Sequence, residues 1–276
     1  MAPTKLFYLT SELAPFSQTN SVAVFSRKIT TILHNKDDVD IRLTKPKYGF
    51  ISERKYILRE VIRLKDMPVI YNGEERLINL KSAFIPETRV QVYFIEDEKY
   101  FKPLPELLYK ARNGRVYSDN DERFALFAKI ALDTLKKLYW PPDYIICNDW
   151  QMSFVPQLLK TCYANDEFYK NIKVVTLIHN IDDNRFCSSS AFNKIELPIN
   201  SNNQKIDNLI EAIKCSDLNI LVDDASSDKL KSLSKCKVLK KTFEQSNSSI
   251  VNIDKDASIS DWLKMANNIE SMIKST

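Results

Sequence analysis

Short groups of polar side chains follow predicted buried strands, at the points where the strands end. Three such groups are Ser11-Glu12, Asn148-Asp149-Trp150 and His179-Asn180, and Asp223-Asp224 is a further candidate. In an open α/β sheet, ligands gather at the carboxyl ends of the strands. We therefore expect these side chains to meet at one edge of a sheet and to offer hydrogen bonds to a ligand there.

The residue types at this edge favour binding over catalysis. Asn148 carries no titratable proton, so it cannot act as a general acid or base. His179 is one of only two histidines, and a neutral, hydrogen-bonded structural role explains it as well as contact with a ligand does. No arrangement of Ser or Cys with a base predicts a nucleophile. We assign no catalytic residue from the sequence.

One helix and one strand must position the central group. Residues 117–150 predict a capped amphipathic helix, a break at Pro141-Pro142, and the buried strand 144–147 that leads into Asn148. The apolar face of the helix consists of Phe124, Phe127, Ala128, Ala131, Leu132, Leu135 and Leu138. Asp119 is expected at the helix cap, with Arg123 as its charge partner one turn later; both residues are also candidates for ligand contact.

The remaining periodicity predicts an α/β fold with a mostly parallel sheet and one antiparallel excursion. Predicted strands are Lys5–Thr10, Asp40–Lys45, Val90–Glu96, Lys173–His179 and Leu218–Val222, with a last strand at Val238–Leu239. The excursion is predicted at Tyr56–Leu64 and Leu77–Phe84, with a tight turn at Asn72-Gly73. Residues 187–208 are expected to form an exposed loop.

The chain is expected to form one large domain and a terminal helix. We place the domain at residues 1–250 and the helical segment at 251–276, where Ser258 and Asp261 form a capping-box pattern. The apolar stripe of that helix, which includes Trp262 and Ile269, is expected to pack on the domain.

Composition excludes several classes of protein. Only three glycines occur among 276 residues, so neither a Walker loop nor a G-x-G-x-x-G fingerprint is present. The net charge of +4 gives little support to nucleic-acid binding. Five dispersed cysteines and two histidines predict no metal site, and we expect no cofactor. With no signal peptide or membrane-spanning run, a cytoplasmic protein without membrane contact is expected.

Two motifs carry a resemblance to a known family. The sequence NDERFA at 120–125, then W-x-PDYII-C-x-DWQ at 140–151, resembles the N-terminal domain of bacterial glycogen and starch synthases. Those enzymes transfer glucose from ADP-glucose to an α-1,4-glucan in a cleft between two Rossmann-like domains. The resemblance extends from Lys5 to about Asn180 and implies that this chain is a single Rossmann-like domain, the acceptor-side half of that fold.

The resemblance also assigns site residues. It implies substrate binding by Asp119, Asn120, Arg123, Asn148, Asp149, Trp150, His179 and Asn180. Trp150 would be a stacking platform for a glucan, and the polar groups would bind its hydroxyls. Asn148 and Ile146 stand where the family has histidines, so the chain departs from the pattern at these two positions.

The loop before the first helix departs further from the family. The family has a lysine and two glycines against the donor sugar nucleotide, where this chain has Gln18, Asn20 and Ser21. The changes remove a cation for phosphate and add side chains where backbone must approach the ligand. We expect donor binding in the family's manner to be lost, although a helix N-terminus still attracts anions.

Three functions remain open at this point. The first is a non-catalytic glucan-binding or regulatory module, with an α-glucan as its partner. The second is a scaffold that binds a protein partner through the former interdomain face. The third is half of an enzyme that another chain completes. An open polar groove with an exposed Trp150 would favour carbohydrate, and a broad apolar patch would favour a protein partner.

Overall fold

The computed structural model describes residues 2–104, 107–199, 205–224, 229–254 and 256–276. The strands are β1 (Thr4–Thr10), β2 (Val39–Pro46), β3 (Arg59–Glu60), β4 (Met67–Tyr71), β5 (Glu74–Ile78), β6 (Leu80–Phe84), β7 (Gln91–Ile95), β8 (Tyr144–Asn148), β9 (Lys173–Ile178), β10 (Phe186–Ser188), β11 (Lys205–Asp207), β12 (Leu218–Asp223) and β13 (Ser248–Asn252).

The α-helices of the described residues are α1 (Ser21–His34), α2 (Glu53–Tyr56), α3 (Asn120–Leu138), α4 (Phe154–Lys160), α5 (Ser189–Lys194), α6 (Asn208–Cys215), α7 (Lys229–Lys235), α8 (Lys237–Gln245) and α9 (Ile259–Lys274). Short 3₁₀ helices cover Ile62–Leu64, Trp150–Met152 and Asp183–Arg185. None of the helices in the described ranges is both long enough and apolar enough to cross a membrane.

A nine-stranded sheet forms the centre of the molecule, in the order β13-β12-β9-β8-β1-β2-β7-β6-β3. The first seven strands of this order pair in parallel, and β6 and β3 pair antiparallel. The central strands are buried along their length because helices cover both faces of a sheet joined by crossover connections. The predicted α/β class, with a mostly parallel sheet and an antiparallel excursion, is confirmed.

Helix α3 matches its predicted apolar pattern and makes tertiary contacts through its first turn. Its apolar face is buried in the core, and Tyr139 ends the helix in the left-handed conformation. Asp119 occupies the cap position, but its side chain accepts no hydrogen bond from the helix N-terminus.

Asp121 accepts hydrogen bonds from the backbone N and the hydroxyl of Ser188, both at 2.7 Å. Glu122 pairs with Lys194. The acidic first turn therefore anchors the segment that contains α5.

The antiparallel excursion is present, but its elements differ from the prediction. The turn at Asn72-Gly73 is confirmed, with positive φ at both residues, and it joins β4 to β5 in a separate hairpin. Of the predicted strand Tyr56–Leu64, only β3 (Arg59–Glu60) is present. Ile57, with a φ of 54°, turns the chain out of the strand direction, and Ile62–Leu64 form a 3₁₀ helix. The predicted strand Leu77–Phe84 divides between β5 and β6, since Asn79 leaves the ladder and accepts a hydrogen bond from the Asp66 backbone.

The C-terminal third contains two further corrections. The predicted strand Val238–Leu239 lies in α8, where Leu239 and Phe243 are buried one helical turn apart. The strand that follows is β13. The predicted loop 187–208 contains β10, α5 and β11, and the side chains of Cys187 and Phe192 are buried. Residues 200–204 of that predicted loop lie outside the described residues.

Helix α9 begins with the predicted capping box, in which the Ser258 hydroxyl and the Asp261 carboxylate bond each other's backbone N–H. It packs on α1, where the rings of Phe25 and Trp262 meet edge to face with centroids 6.0 Å apart. Position 250, the predicted end of the domain, falls within β13. The division of the chain at this position stays a prediction.

Candidate functional site

The predicted polar groups after β8 and β9 bond each other directly, and they reach the end of β1 through Thr10. Neutral His179 donates from Nε2 to Oδ1 of Asn148 at 2.8 Å. The Asn148 amide donates to the hydroxyls of Ser26 at 2.9 Å and Thr10 at 3.2 Å. The expectation that these groups share one sheet edge is confirmed. Asn148 is fully buried, and its amide joins β1, α1 and β9 rather than facing a groove.

Asp149 fixes the end of the neighbouring strand. Its carboxylate accepts hydrogen bonds from the backbone N of His179 at 3.0 Å, and from the backbone N and side chain of Asn180 at 2.8 and 2.6 Å. Its φ of 71° with ψ of 177° is a conformation that glycine favours. Burial raises the pKa of Asp149 to about 6, although the hydrogen bonds from Asn180 and His179 oppose the shift. Asp149 therefore acts as a positioning group.

His179 is held as a neutral ring. Its side chain is buried against Phe25, with ring centroids 4.6 Å apart and edge-to-face geometry. Burial lowers the pKa of His179 to about 3, and the positive charge of Lys229 adds to that effect while Asp224 opposes it. An imidazole with this pKa is not an acid at neutral pH. Its structural, hydrogen-bonded role follows from this geometry.

Trp150 does not form an open aromatic surface. Only 5% of the residue is exposed, because the 3₁₀ turn after Asp149 directs the ring into the core. The ring packs edge to face with Phe124, at 5.4 Å between centroids, and with Tyr109 at 5.5 Å. The prediction of an exposed stacking platform at Trp150 is wrong. The sequence could not distinguish this aromatic cluster from a ligand platform, because both require a tryptophan at the strand end.

Arg123 carries the hydrogen-bonding capacity that remains unused. Its Nη2 lies 2.8 Å from the Asp119 carboxylate, and its guanidinium lies 4.9 Å from the centre of the Tyr117 ring. Its Nε and Nη1 are buried and have no hydrogen-bond partner among the described residues. The same is true of Oδ1 of Asn120, whose Nδ2 donates to the Tyr109 carbonyl.

Glu12 and Tyr109 form a second polar centre beside this one. The Tyr109 hydroxyl lies 2.7 Å from the Ser11 hydroxyl and donates to Glu12 at 2.9 Å. The Glu12 carboxylate also accepts from the Thr19 hydroxyl at 2.6 Å and from the Asn20 amide at 3.2 Å. Sequence reasoning missed Tyr109, which lies in an irregular segment without periodicity. Glu12 thus orders the loop that precedes α1.

A fully buried lysine, also missed, lies near Glu12. Lys45 donates to the Pro46 carbonyl at 2.8 Å and lies 4.6 Å from the centre of the Tyr48 ring. Burial lowers the pKa of Lys45 to about 7, against the attraction of Glu12. No carboxylate of the described residues lies within ion-pair distance of it. Its signal in the sequence is a lysine inside an apolar strand pattern.

The loop with the changed donor residues is closed by internal contacts. Gln18 is exposed, and Asn20 caps α1 by accepting from the Val22 backbone at 2.9 Å. The Ser21 hydroxyl donates to Asp224, which forms an ion pair with Lys229 at 2.8 Å. A carboxylate of the chain itself therefore lies at the first turn of α1, where an anion would otherwise be attracted.

The structure divides the predicted binding residues into two groups. Asn148, Asp149, Trp150 and His179 are buried and bonded to, or packed against, other residues of the chain. Asp119 and Asn180 are partly exposed, and Arg123 and Asn120 are buried with unused polar atoms. Their assignment to a substrate stays a prediction. Within the described ranges, no three His, Cys, Asp or Glu side chains gather as metal ligands.

Fold and site together define a doubly wound α/β domain whose polar residues lie at the carboxyl ends of its strands. A family model of the starch synthase catalytic domain matches residues 5–244. The chain therefore belongs to the glycogen and starch synthase family.

Individual relatives agree with this membership. Glycogen synthase of Pelodictyon phaeoclathratiforme is 33% identical over 220 residues, which are 78% of this chain and 44% of that protein. Glycogen synthase of Chlorobium luteolum is 38% identical over 184 residues, 64% of this chain and 36% of that protein. This chain thus spans less than half the length of these relatives.

A solved structure shows the same fold. The catalytic domain of starch synthase IV from Arabidopsis thaliana, bound to ADP and acarbose, superposes with a TM-score of 0.72 at 19% sequence identity. The match covers 92% of this chain and 51% of the starch synthase chain. The likeness extends beyond the motif region to nearly the whole molecule.

Proposed function

We propose that this chain recognises an α-1,4-glucan at the carboxyl edge of its sheet, as a binding or regulatory member of the family. Arg123 carries the proposal. Two nitrogen atoms of its guanidinium, Nε and Nη1, are buried without a partner among the described residues, and an unmet buried donor costs about 1–3 kcal/mol. The Asp119 carboxylate, whose side chain is 36% exposed, would accept from a sugar hydroxyl. Oxygen atoms of the same sugar would satisfy the Arg123 donors once binding displaces the atoms that cover them.

The neighbouring residues support binding without transfer. Asn148 has no titratable proton, and His179 is neutral and buried. The oxygens of Asp149 already accept hydrogen bonds from His179 and Asn180. The carboxylate of Asp224 occupies the first turn of α1 through its hydrogen bond from Ser21, so a phosphate group there would have to displace it. These groups hold the strand ends in place and offer no free acid or base.

The family relationship supports a saccharide as the ligand. The relatives are glycogen synthases, and the Arabidopsis structure contains acarbose as well as ADP. The protein-partner alternative would require a broad apolar patch at the same edge. The large exposed apolar side chains of the described residues lie mainly on the antiparallel excursion and on α8 and α9. Val116, just before α3, and Phe186 of β10, which contacts α3, lie nearer to this edge. The criterion of an exposed Trp150 for carbohydrate is not met, and the exposed apolar side chains of the described residues form no broad patch at this edge that would favour a protein partner.

The test is a calorimetric titration of the whole chain with maltoheptaose. We expect the unmodified chain to bind maltoheptaose. In Arg123→Gln the affinity should fall by at least about tenfold, which corresponds to a loss of about 1.4 kcal/mol of binding free energy. Arg89→Gln is the matched control, because Arg89 is exposed and lies on the β6–β7 turn. Absence of binding by a folded chain, or equal affinity in Arg123→Gln, would contradict the proposal.

A further inference from the structure

The far edge of the central sheet is only partly covered by its last strand. β3 contributes two residues, Arg59 and Glu60, which pair with Ser82 and Lys81 of β6. The chain before β3 leaves the strand direction at Ile57, whose backbone N–H turns back to bond the Glu53 carbonyl. β6 continues beyond this point, so its end has no strand beside it.

The hydrogen bonds on both sides of β6 determine which of its residues face the open edge. The Ile85 backbone N–H donates to the Val90 carbonyl at 3.0 Å. The backbone N–H and C=O groups of Ile85, and of every second residue before it, therefore face β7. The Val61 backbone N–H donates to the Leu80 carbonyl at 3.2 Å. The backbone groups of Leu80, and of every second residue after it, therefore face away from β7, toward β3 and the open edge. Phe84 belongs to this second series. Its backbone N–H and C=O therefore point to the edge, where no described residue pairs with them.

A groove of about 420 Å³ lies along this edge, between residues 55–59 and the β6–β7 hairpin. Two apolar side chains line it and are open to solvent, with Phe84 58% and Ile57 66% exposed. Tyr56, which stacks edge to face on Phe16, forms part of the wall. The groove thus combines an unpaired backbone segment with apolar surface.

The charge of the groove is positive. Lys55 and Arg59 line it, and neither is within 4 Å of a carboxylate in the part of the chain that the structure describes. The one acidic side chain in the lining, Glu87, pairs with Arg27 at 3.3 Å. Two cations are therefore available to a ligand.

We propose that this groove binds an extended, acidic segment of another protein, which adds a short strand to β6 at Phe84. The free N–H and C=O of one strand residue specify an extended backbone rather than a helix. Phe84 and Ile57 select an apolar side chain in that segment, and Lys55 and Arg59 select acidic neighbours. The site lies on the antiparallel excursion and is independent of the proposed glucan site.

The probe is a fluorescein-labelled peptide of four Glu-Val repeats, with a Lys-Val peptide as its charge-reversed counterpart. Fluorescence anisotropy should show binding of the acidic peptide to the whole chain, and no binding of the basic one. The amide signal of Phe84 in a ¹H–¹⁵N spectrum should shift on addition of the acidic peptide. Lack of binding to about 1 mM peptide, which corresponds to about 4 kcal/mol of affinity, would overturn the proposal.

Variants separate the backbone, apolar and charge contributions. Phe84→Pro removes the outward N–H, which the sheet does not use, so an edge strand tolerates it. We expect Phe84→Pro, Phe84→Ala and Arg59→Glu each to weaken binding by at least about fivefold, which is about 1 kcal/mol. Leu77→Ala, on the exposed face of β5, and Arg89→Glu are controls that should bind like the unmodified chain. Equal affinity in the Phe84 and Arg59 variants would overturn the proposal.

Two further outcomes are informative. Sedimentation should show a monomer; a dimer that Phe84→Pro dissociates would mean that a second copy of this chain covers the edge, and would overturn the proposal. Maltoheptaose binding should be unchanged in Phe84→Pro. Loss of peptide binding with glucan binding retained would therefore show that the two sites act separately.

Discussion

At the residue scale, Trp150 is a core residue at the end of a functional strand. Its ring contacts Phe124 of α3 and Tyr109 of the preceding segment. Removing a buried tryptophan leaves a cavity that the surrounding side chains fill only in part. Trp150 therefore packs between the first turns of α3 and the segment that contains Tyr109, whose carbonyl accepts a hydrogen bond from Asn120.

We predict that Trp150→Ala destabilises the chain by about 3–5 kcal/mol, measured by urea unfolding at neutral pH. Trp150→Phe, which retains an aromatic ring, should lose less. Loss of glucan binding in Trp150→Ala then reports unfolding or loosening, so Arg123→Gln is the better test of the site. An Ala variant as stable as the unmodified chain would contradict the packing role.

The pKa of His179, lowered to about 3, leads to a pH prediction. The unfolded chain takes up a proton near its ordinary pKa of about 6.5, and the folded chain does not. Stability from this group is therefore present at neutral pH and falls as the pH decreases below 6.5. The folded pKa of Asp149 is raised above its ordinary value near 3.9. Stability from Asp149 therefore increases as the pH decreases from about 6 to about 3.9, opposite to the effect of His179.

We predict that the unfolding free energy of the chain, relative to His179→Asn, decreases by about 2 kcal/mol from pH 7 to pH 5. Asp149 is present in both proteins, so its contribution cancels in this difference. In a His34→Gln background, the ring signals of His179 should not shift between these two pH values. A ring that titrates near pH 6 would contradict its burial in the neutral form.

At the scale of elements, α9 is attached to the loop between α1 and β2 by ionic contacts, and to α1 itself by apolar packing. Glu270 accepts hydrogen bonds from Lys36 and Lys274, and Lys274 also reaches Asp38 at 2.6 Å. Burial opposes ionisation of Glu270, but the contacts with Lys274 and Lys36 prevail and lower its pKa. Its contribution is therefore present above its unfolded pKa and is lost as the pH falls through its folded pKa.

We predict that Glu270→Gln accelerates amide exchange in α9 by up to about fivefold, because ion pairs of this exposure contribute up to about 1 kcal/mol. Mass-spectrometric exchange of the peptide 258–276 measures this effect. Glu244→Gln on α8, whose partner Lys240 is 3.6 Å away and exposed, is the matched control. Equal exchange in the two variants would mean that apolar packing alone holds α9.

At the scale of the whole molecule, the chain spans less than half the length of its glycogen synthase relatives. Its polar residues lie at one edge of the central sheet. The edge offers donors at Arg123 and an acceptor at Asp119, whereas α1 is occupied by Asp224. A ligand without phosphate suits this arrangement better than a sugar nucleotide does.

We predict that the chain alone does not lengthen maltoheptaose in the presence of ADP-glucose. Incorporation of labelled glucose over a no-protein blank measures this, with the Asp224→Asn variant run in parallel. Elongation by the unmodified chain alone would contradict the non-catalytic proposal, and it would also contradict the half-enzyme alternative, which requires a second chain.

The sequence alone predicted the features that depend on local periodicity and on motifs. The strand–helix order, the Asn72-Gly73 turn, the Ser258 capping box and the family resemblance each follow from residues close in the chain. The meeting of Asn148 with His179 was also predictable, because parallel strands end at one edge. Segments with mixed signals were misassigned: Val238–Leu239 was predicted as a strand, yet these residues lie in α8.

Only the tertiary structure decided which polar groups face a ligand. Burial depends on neighbours that are distant in the chain, as Tyr109 and Phe124 enclose Trp150. Asp224, which follows β12 some 200 residues after α1, accepts a hydrogen bond from Ser21 at the N-terminus of that helix. The short β3 likewise leaves Phe84 unpaired because Ile57 turns the chain away. The sequence by itself determined the fold and the residues at the edge of the sheet. Long-range packing decided which of those residues remain available, because hydrogen bonds and buried surface are shared between distant segments.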